Sequence, residues 1–110
     1  MGSSAQAWWL LAASVLAEVV GTIALRYAEG FTRLLPSLAC GLCYSVAIWL
    51  MSLSVKQLGV GLTYAVWAAS GTALIAIVGM IWFGEPTQPL RLAGLGCIVL
   101  GVIALNLSAP

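Results

Sequence analysis

The sequence predicts an all-α membrane protein: one domain over residues 1–110, built from four transmembrane helices. Three observations predict it. Of 110 residues, 63% are hydrophobic and only 6% charged, against about 25% charged in a soluble domain. Four apolar stretches each approach the ~20 residues that a helix needs to cross a hydrocarbon core about 30 Å thick. Turn-forming and charged residues collect between those stretches, with one exception inside a span. Four basic and three acidic side chains cannot make so apolar a chain of this length soluble.

The first span is expected over residues 7–25. The MGSSAQ before it lacks the positive n-region of a secretory signal, and Gln6 stands where a myristoylation motif wants Ser or Thr. Residues 1–4 read as a plain, disordered terminus. RYAEGFTR closes this span and leads to the second, over residues 34–54. The charged and polar VKQ at 55–57 marks the next break, and the third span covers residues 58–83. GEPTQP at 84–89 supplies Gly and Pro turn signals. The fourth span follows over residues 90–107.

The exception is Glu18, the only ionisable side chain well inside a span. At 1.5 Å per residue it lies about 17 Å from Ala7 and about 10 Å from Leu25. An acidic residue at such depth costs about 2.5 to 3.5 kcal/mol to insert. No span carries a lysine, arginine or histidine away from its ends to offset it. Intramembrane carboxylates of this kind line watery cavities and bind protons or cations.

Helical geometry groups residues around this charge. At 100° per residue, Leu11, Ser14, Val15, Gly21, Thr22 and Leu25 fall within about 60° of Glu18. On the second span Tyr44 shares a face with Cys40, Ala47, Ile48 and Met51. On the third, Tyr64, Trp67, Ala68 and Gly71 fall together. Trp8, Trp9 and Trp82 suit an interfacial belt, whereas Tyr44, Tyr64 and Trp67 lie deeper. Two readings stand for these three: packing, or an aromatic cage for an organic cation at about 0.5 to 2 kcal/mol per contact.

Cys40-Gly41-Leu42-Cys43 spells C-x-x-C, but there is no histidine and no second cysteine pair for a tetrahedral metal site. The pair reads as small, packable residues, and no metal or other cofactor is expected. The fourth span places Gly94 and Gly101 seven residues apart on one stripe, beside Cys97 and Ile98. Such a stripe allows close helix approach and is expected to serve oligomerisation.

Net charge is +1, which gives no basic face for nucleic acid. Arg26, Arg33 and Arg91 lie on one side of the membrane, Lys56 and the terminal amine on the other. So weak a bias permits insertion both ways. The four spans show no internal duplication, so the chain reads as one half of an inverted-repeat assembly. An upside-down copy of itself is expected to supply the other half, in an antiparallel, dual-topology homodimer.

Several of these segments together resemble the small multidrug resistance family. AEVVGTIALRYAEGFTR is similar to its first-helix signature. PSLACGLCYSVAIWL, GVGLTYAVWAASGT and the glycine stripe continue the likeness over nearly the whole chain. The resemblance implies a multi-pass protein of the bacterial inner membrane that exports hydrophobic and quaternary cations in exchange for protons: multidrug efflux, not enzymatic catalysis. By the same resemblance Glu18 is the shared proton and substrate site. Ser14, Gly21, Thr22, Tyr44, Tyr64 and Trp67 match its surroundings, and helical position adds Leu11, Val15 and Ile48 to the expected chamber. Gly71 is a helix-kink position, and Gly94 and Gly101 are the dimer stripe.

Guanidinium exporters of the family tend to carry Trp-Ala after Glu-Val-Val, where this chain has Gly21-Thr22. Three positions depart from the family pattern. Arg26 replaces a usual lysine, Ala69 the first glycine of a G-x-G, and Gly59 a common proline. Two alternatives stand beside the multidrug reading: guanidinium or polyamine export by the same machinery, and a non-transporting membrane subunit.

Overall fold

A computed structural model describes residues 4–109. The expectation for the amino-terminal residues lies outside this range except at Ser4, which opens the first helix. The described residues form α1 (Ser4–Tyr27), α2 (Leu34–Leu58), α3 (Val60–Trp82) and α4 (Pro89–Ser108). All four are long and apolar enough to cross a membrane. At 1.5 Å per residue they measure about 30 to 37 Å. The chain is an all-α membrane protein with four transmembrane helices.

The connections are tight. After α1, Glu29, Gly30 and Phe31 have φ of 49°, 70° and 64°. This left-handed run turns the chain back. The buried Ala28 anchors it, its carbonyl accepting from the N–H groups of Thr32 at 3.0 Å and Arg33 at 3.2 Å. Residues 55–57, expected to break the chain, are helical. Val-Lys-Gln contains no helix breaker, and α2 stops only at Gly59. That glycine, at φ 84° and ψ 156°, is the whole connection between α2 and α3, in a region that is essentially glycine-only. At the far end of α3, Phe83 and Glu85 both donate their N–H to the carbonyl of Gly79, at 3.2 and 3.0 Å. Gly84 follows the left-handed path with φ 68°, and Pro89 opens α4 where its missing N–H is harmless.

α1 lies between α2 and α3, whereas α3 is the one helix whose backbone α4 approaches closely. The Cα envelope measures 42 × 35 × 17 Å, a slab rather than a cylinder. Small residues and hydroxyls tie α1 to α2. Ser14 donates to the Ala47 carbonyl at 2.6 Å and Ser54 to the Ala7 carbonyl at 2.9 Å, all four residues being buried. Gly21 lets α2 approach so closely that a Cβ there would sit 3.1 Å from Cys43 Cβ. Cys40 is buried in the packing, and all three cysteines are free. Ala7, Leu11, Leu58 and Val66 form the apolar core that closes one end.

Candidate functional site

Glu18 sits half-buried on α1, facing α3. One turn later on the same helix, Thr22 donates from Oγ1 to Glu18 Oε2 at 2.7 Å. The same hydroxyl lies 2.5 Å from Tyr44 Oη. With the Thr22 proton on the carboxylate, the Tyr44 hydroxyl donates in turn. The result is a chain from α2 through α1 to the charge: Tyr44, Thr22, Glu18. With Glu18 ionised, the bond from Thr22 is charge-assisted, a type roughly twice as strong as a neutral one such as that between Tyr44 and Thr22.

The other carboxylate oxygen has a different neighbour. A Cβ built on Gly71 would collide with Glu18 Oε1. The glycine on α3 is therefore the seat of the carboxylate, and α3 continues as one helix through it. Among the described residues no arginine or lysine pairs with Glu18, since both ion pairs lie elsewhere, at Arg33–Glu29 and Arg91–Glu85.

Glu18 lines a cavity of about 410 Å³ together with Tyr44, Ile48, Trp67, Ala68, Gly71, Thr72 and Ile75. Its wall is apolar and aromatic with one carboxylate, a chemistry suited to an organic cation: rings and alkyl groups meet apolar surface, and the charge meets Glu18. Trp67 presents a ring to this space. Its indole Nε1–H is buried and finds no acceptor among the described residues.

The structure brings together five of the expected positions on this wall: Glu18, Tyr44, Ile48, Trp67 and Gly71. Thr22 joins them through its hydrogen bonds, and Gly21 by packing under the Tyr44 ring, 3.2 Å from Cδ1 for a built Cβ. Tyr64 stands off the wall, tilted against Trp67 with ring centroids 5.8 Å apart and 58% exposed. Three others lie away from the cavity. Ser14 is spent on α2. Leu11 and Val15 border a second cavity, of about 350 Å³, between α1, α3 and α4, where Ser70 and Asn106 also lie. Gly94 and Gly101 face open space on α4, with nothing within 4 Å of a built Cβ.

Sequence reasoning missed Thr72 and Ile75. The signal was available, because Trp67, Gly71 and Ile75 recur every four residues along one helical face.

Residues 6–98 match the profile described as Small Multidrug Resistance protein. The chain belongs to the small multidrug resistance family. It is 42% identical over 100 residues to the quaternary ammonium compound-resistance protein QacF of Klebsiella aerogenes, covering 91% of each chain. To the multidrug resistance protein Mmr of Mycobacterium tuberculosis (strain H37Rv) it is 40% identical over 99 residues, 89% of this chain and 92% of the relative. To the guanidinium exporter of Escherichia coli (strain K12) it is 43% identical over 101 residues, 92% and 96% of the two chains. Membership of this family, with four apolar spans, makes the protein a multi-pass protein of the bacterial inner membrane.

Proposed function

We propose that this efflux transporter is a proton-coupled antiporter for hydrophobic and quaternary cations, with protons and substrate competing for Glu18. One arrangement carries the reading. A carboxylate with no basic partner among the described residues stands on the wall of a 410 Å³ cavity with Tyr44, Trp67 and Ile48. A cation binds the ionised carboxylate and a proton occupies the neutral form, so each expels the other. Cation affinity therefore rises with pH and falls as protons claim the site.

The working unit is an antiparallel homodimer. A slab 17 Å thick carries the cavity on one side, with Ile48 59% and Tyr64 58% exposed at its margin. A second, inverted copy encloses the chamber and contributes its own Glu18, and the open Gly94–Gly101 stripe of α4 serves the contact. Exchange of two protons for one monovalent cation moves one net charge inward, about 2.3 kcal/mol per 100 mV. Each pH unit adds about 2.7 kcal/mol for the two protons. A gradient of about one pH unit with about 100 mV thus supports accumulation of several thousandfold, with no need of ATP.

A specific observation favours a second reading, guanidinium export: identity to the guanidinium exporter is 43%, level with the 42% to QacF. Gly21-Thr22, where guanidinium exporters of the family tend to carry Trp-Ala, supports the first reading. In proteoliposomes with an inward pH gradient, the wild-type chain is expected to move tetraphenylphosphonium, and Glu18→Gln to move none while inserting normally. Coupled transport by Glu18→Gln sinks the mechanism. Guanidinium moved to the exclusion of tetraphenylphosphonium selects the second reading. No gradient-driven uptake of either leaves the non-transporting subunit.

A further inference from the structure

The Glu18 chamber has a neighbour. A cavity of about 270 Å³ lies toward the α3–α4 turn, lined by Thr22 from α1, Ile75 and Gly79 from α3, and Glu85. Ile75 borders both cavities, and Thr22, on the wall of the outer one, donates directly to the Glu18 carboxylate. Gly71, Ile75 and Gly79 follow each other at four-residue intervals, so one stripe of α3 runs from one carboxylate to the other. That stretch is about 12 Å long.

Its two glycines do the same thing. A Cβ on Gly71 would strike Glu18, and a Cβ on Gly79 would strike Glu85, whose Cδ lies 2.8 Å from the built position. The Glu85 backbone N–H is tied to the Gly79 carbonyl at 3.0 Å, which holds the acid over the groove. The charged groups facing it are Arg91 of α4, 3.6 Å from Oε1, and Arg26 of α1 across the same cavity. Arg26 rests on the Phe83 ring at 5.5 Å from its centroid. The Glu85 side chain is 53% exposed, so it meets water on its outer side. The cavity has room for several waters at about 30 Å³ each.

We propose that this groove is the route by which protons reach Glu18 from the α3–α4 end, with Glu85 as its outer carboxylate. A proton from bulk water forms an O–H bond on Glu85. That bond then breaks as water in the groove carries the proton past Thr22 and Ile75, and a new O–H bond forms on Glu18. Glu85 returns to a carboxylate beside Arg91. The Arg26 guanidinium in the wall disfavours passage of an organic cation, so this branch serves protons. The proposal rests on the reading of Glu18 as the proton site.

The test uses full-length protein in lipid nanodiscs without substrate. A rapid drop in pH is followed through the carbonyl infrared band of protonated Glu18, identified by its absence in Glu18→Gln. Glu85→Gln is expected to slow protonation about tenfold or more, with the equilibrium titration of Glu18 unmoved and Glu85→Asp restoring most of the rate. Leu25→Trp, which puts an indole into the groove from α1 and leaves the Glu85 carboxylate in the chain, is expected to slow it likewise. Glu29→Gln, at the same end but outside the groove and paired with Arg33, should match the wild type. Wild-type rates in Glu85→Gln or Leu25→Trp overturn the route, as does equal slowing by Glu29→Gln. A wild-type chain with no titrating Glu18 band would instead remove the carboxylate mechanism itself.

Discussion

α1 and α4 are both apolar spans, and α4 is the more apolar, yet they sit in the molecule in opposite ways. α1 buries Ala7, Leu11, Ser14, Val15 and Val19 and lies between two other helices. α4 buries no residue, and α3 is the one helix whose backbone it approaches closely. In water the more apolar helix would take the centre. In lipid the surroundings are as apolar as leucine, and hydrophobicity gives no reason for two helices to meet. Close approach and polar bonds decide instead. α1 has Ser14, Gly21 and a carbonyl at Ala7 that meet α2. α4 keeps its small residues, Gly94 and Gly101, on a face with nothing against them.

If that contrast is right, substitutions on the two helices should fail differently. The largest effect is expected from Gly94→Leu combined with Gly101→Leu. Both positions have open space within the chain, so each subunit should keep its helix content by circular dichroism. Cross-linking in mild detergent should nevertheless lose the dimer, and tetraphenylphosphonium binding should go with it. A dimer that survives moves the interface to another helix.

A smaller effect is expected where α3 meets α1. Gly71→Ala places a methyl on Glu18 Oε1 and pushes the carboxylate from its seat, while the dimer stripe on α4 is untouched. Cation affinity at high pH should fall by about tenfold, equivalent to about 1.4 kcal/mol. Calorimetric titration reads this directly. Unchanged affinity would mean that α3 yields and the seat has no role.

The smallest effect belongs to the α1–α2 seam. Ser54→Ala removes the bond to the Ala7 carbonyl, an interhelical hydrogen bond of a kind that averages about 0.6 kcal/mol in membrane proteins. Thermal stability should drop slightly, with dimer and cation affinity preserved. Lost affinity from this variant would show that the seam shapes the chamber, erasing the distinction between helix packing and site.

Much of this was legible in the residues. Hydropathy located four helices, because the cost of placing polar groups in lipid is local to each segment. It also isolated Glu18, since a single charge in a span stands out without knowledge of its neighbours. The α2–α3 connection was less legible. Val55, Lys56 and Gln57 look like a break by polarity, but they are good helix residues at a membrane surface, and only the backbone of Gly59 ends the helix. The surroundings of Glu18 were half legible. Ser14 and Thr22 are equally near it on a helical wheel, yet Ser14 bonds to α2 and Thr22 to the carboxylate.

The sequence by itself determined the number of spans, the charge set deep within one of them and the small-residue stripe on the last helix. Each of these is a property of one segment in one solvent. Only the tertiary structure decided which side of α1 lines the cavity, that Gly71 is the seat for a carboxylate, and that Glu85 stands on a second cavity that shares Ile75 with the first. The physical reason lies in the bilayer. A helix in water shows its inner face by a contrast between polar and apolar sides. A helix in lipid is apolar all round, and its inner face exists only where another helix fits against it.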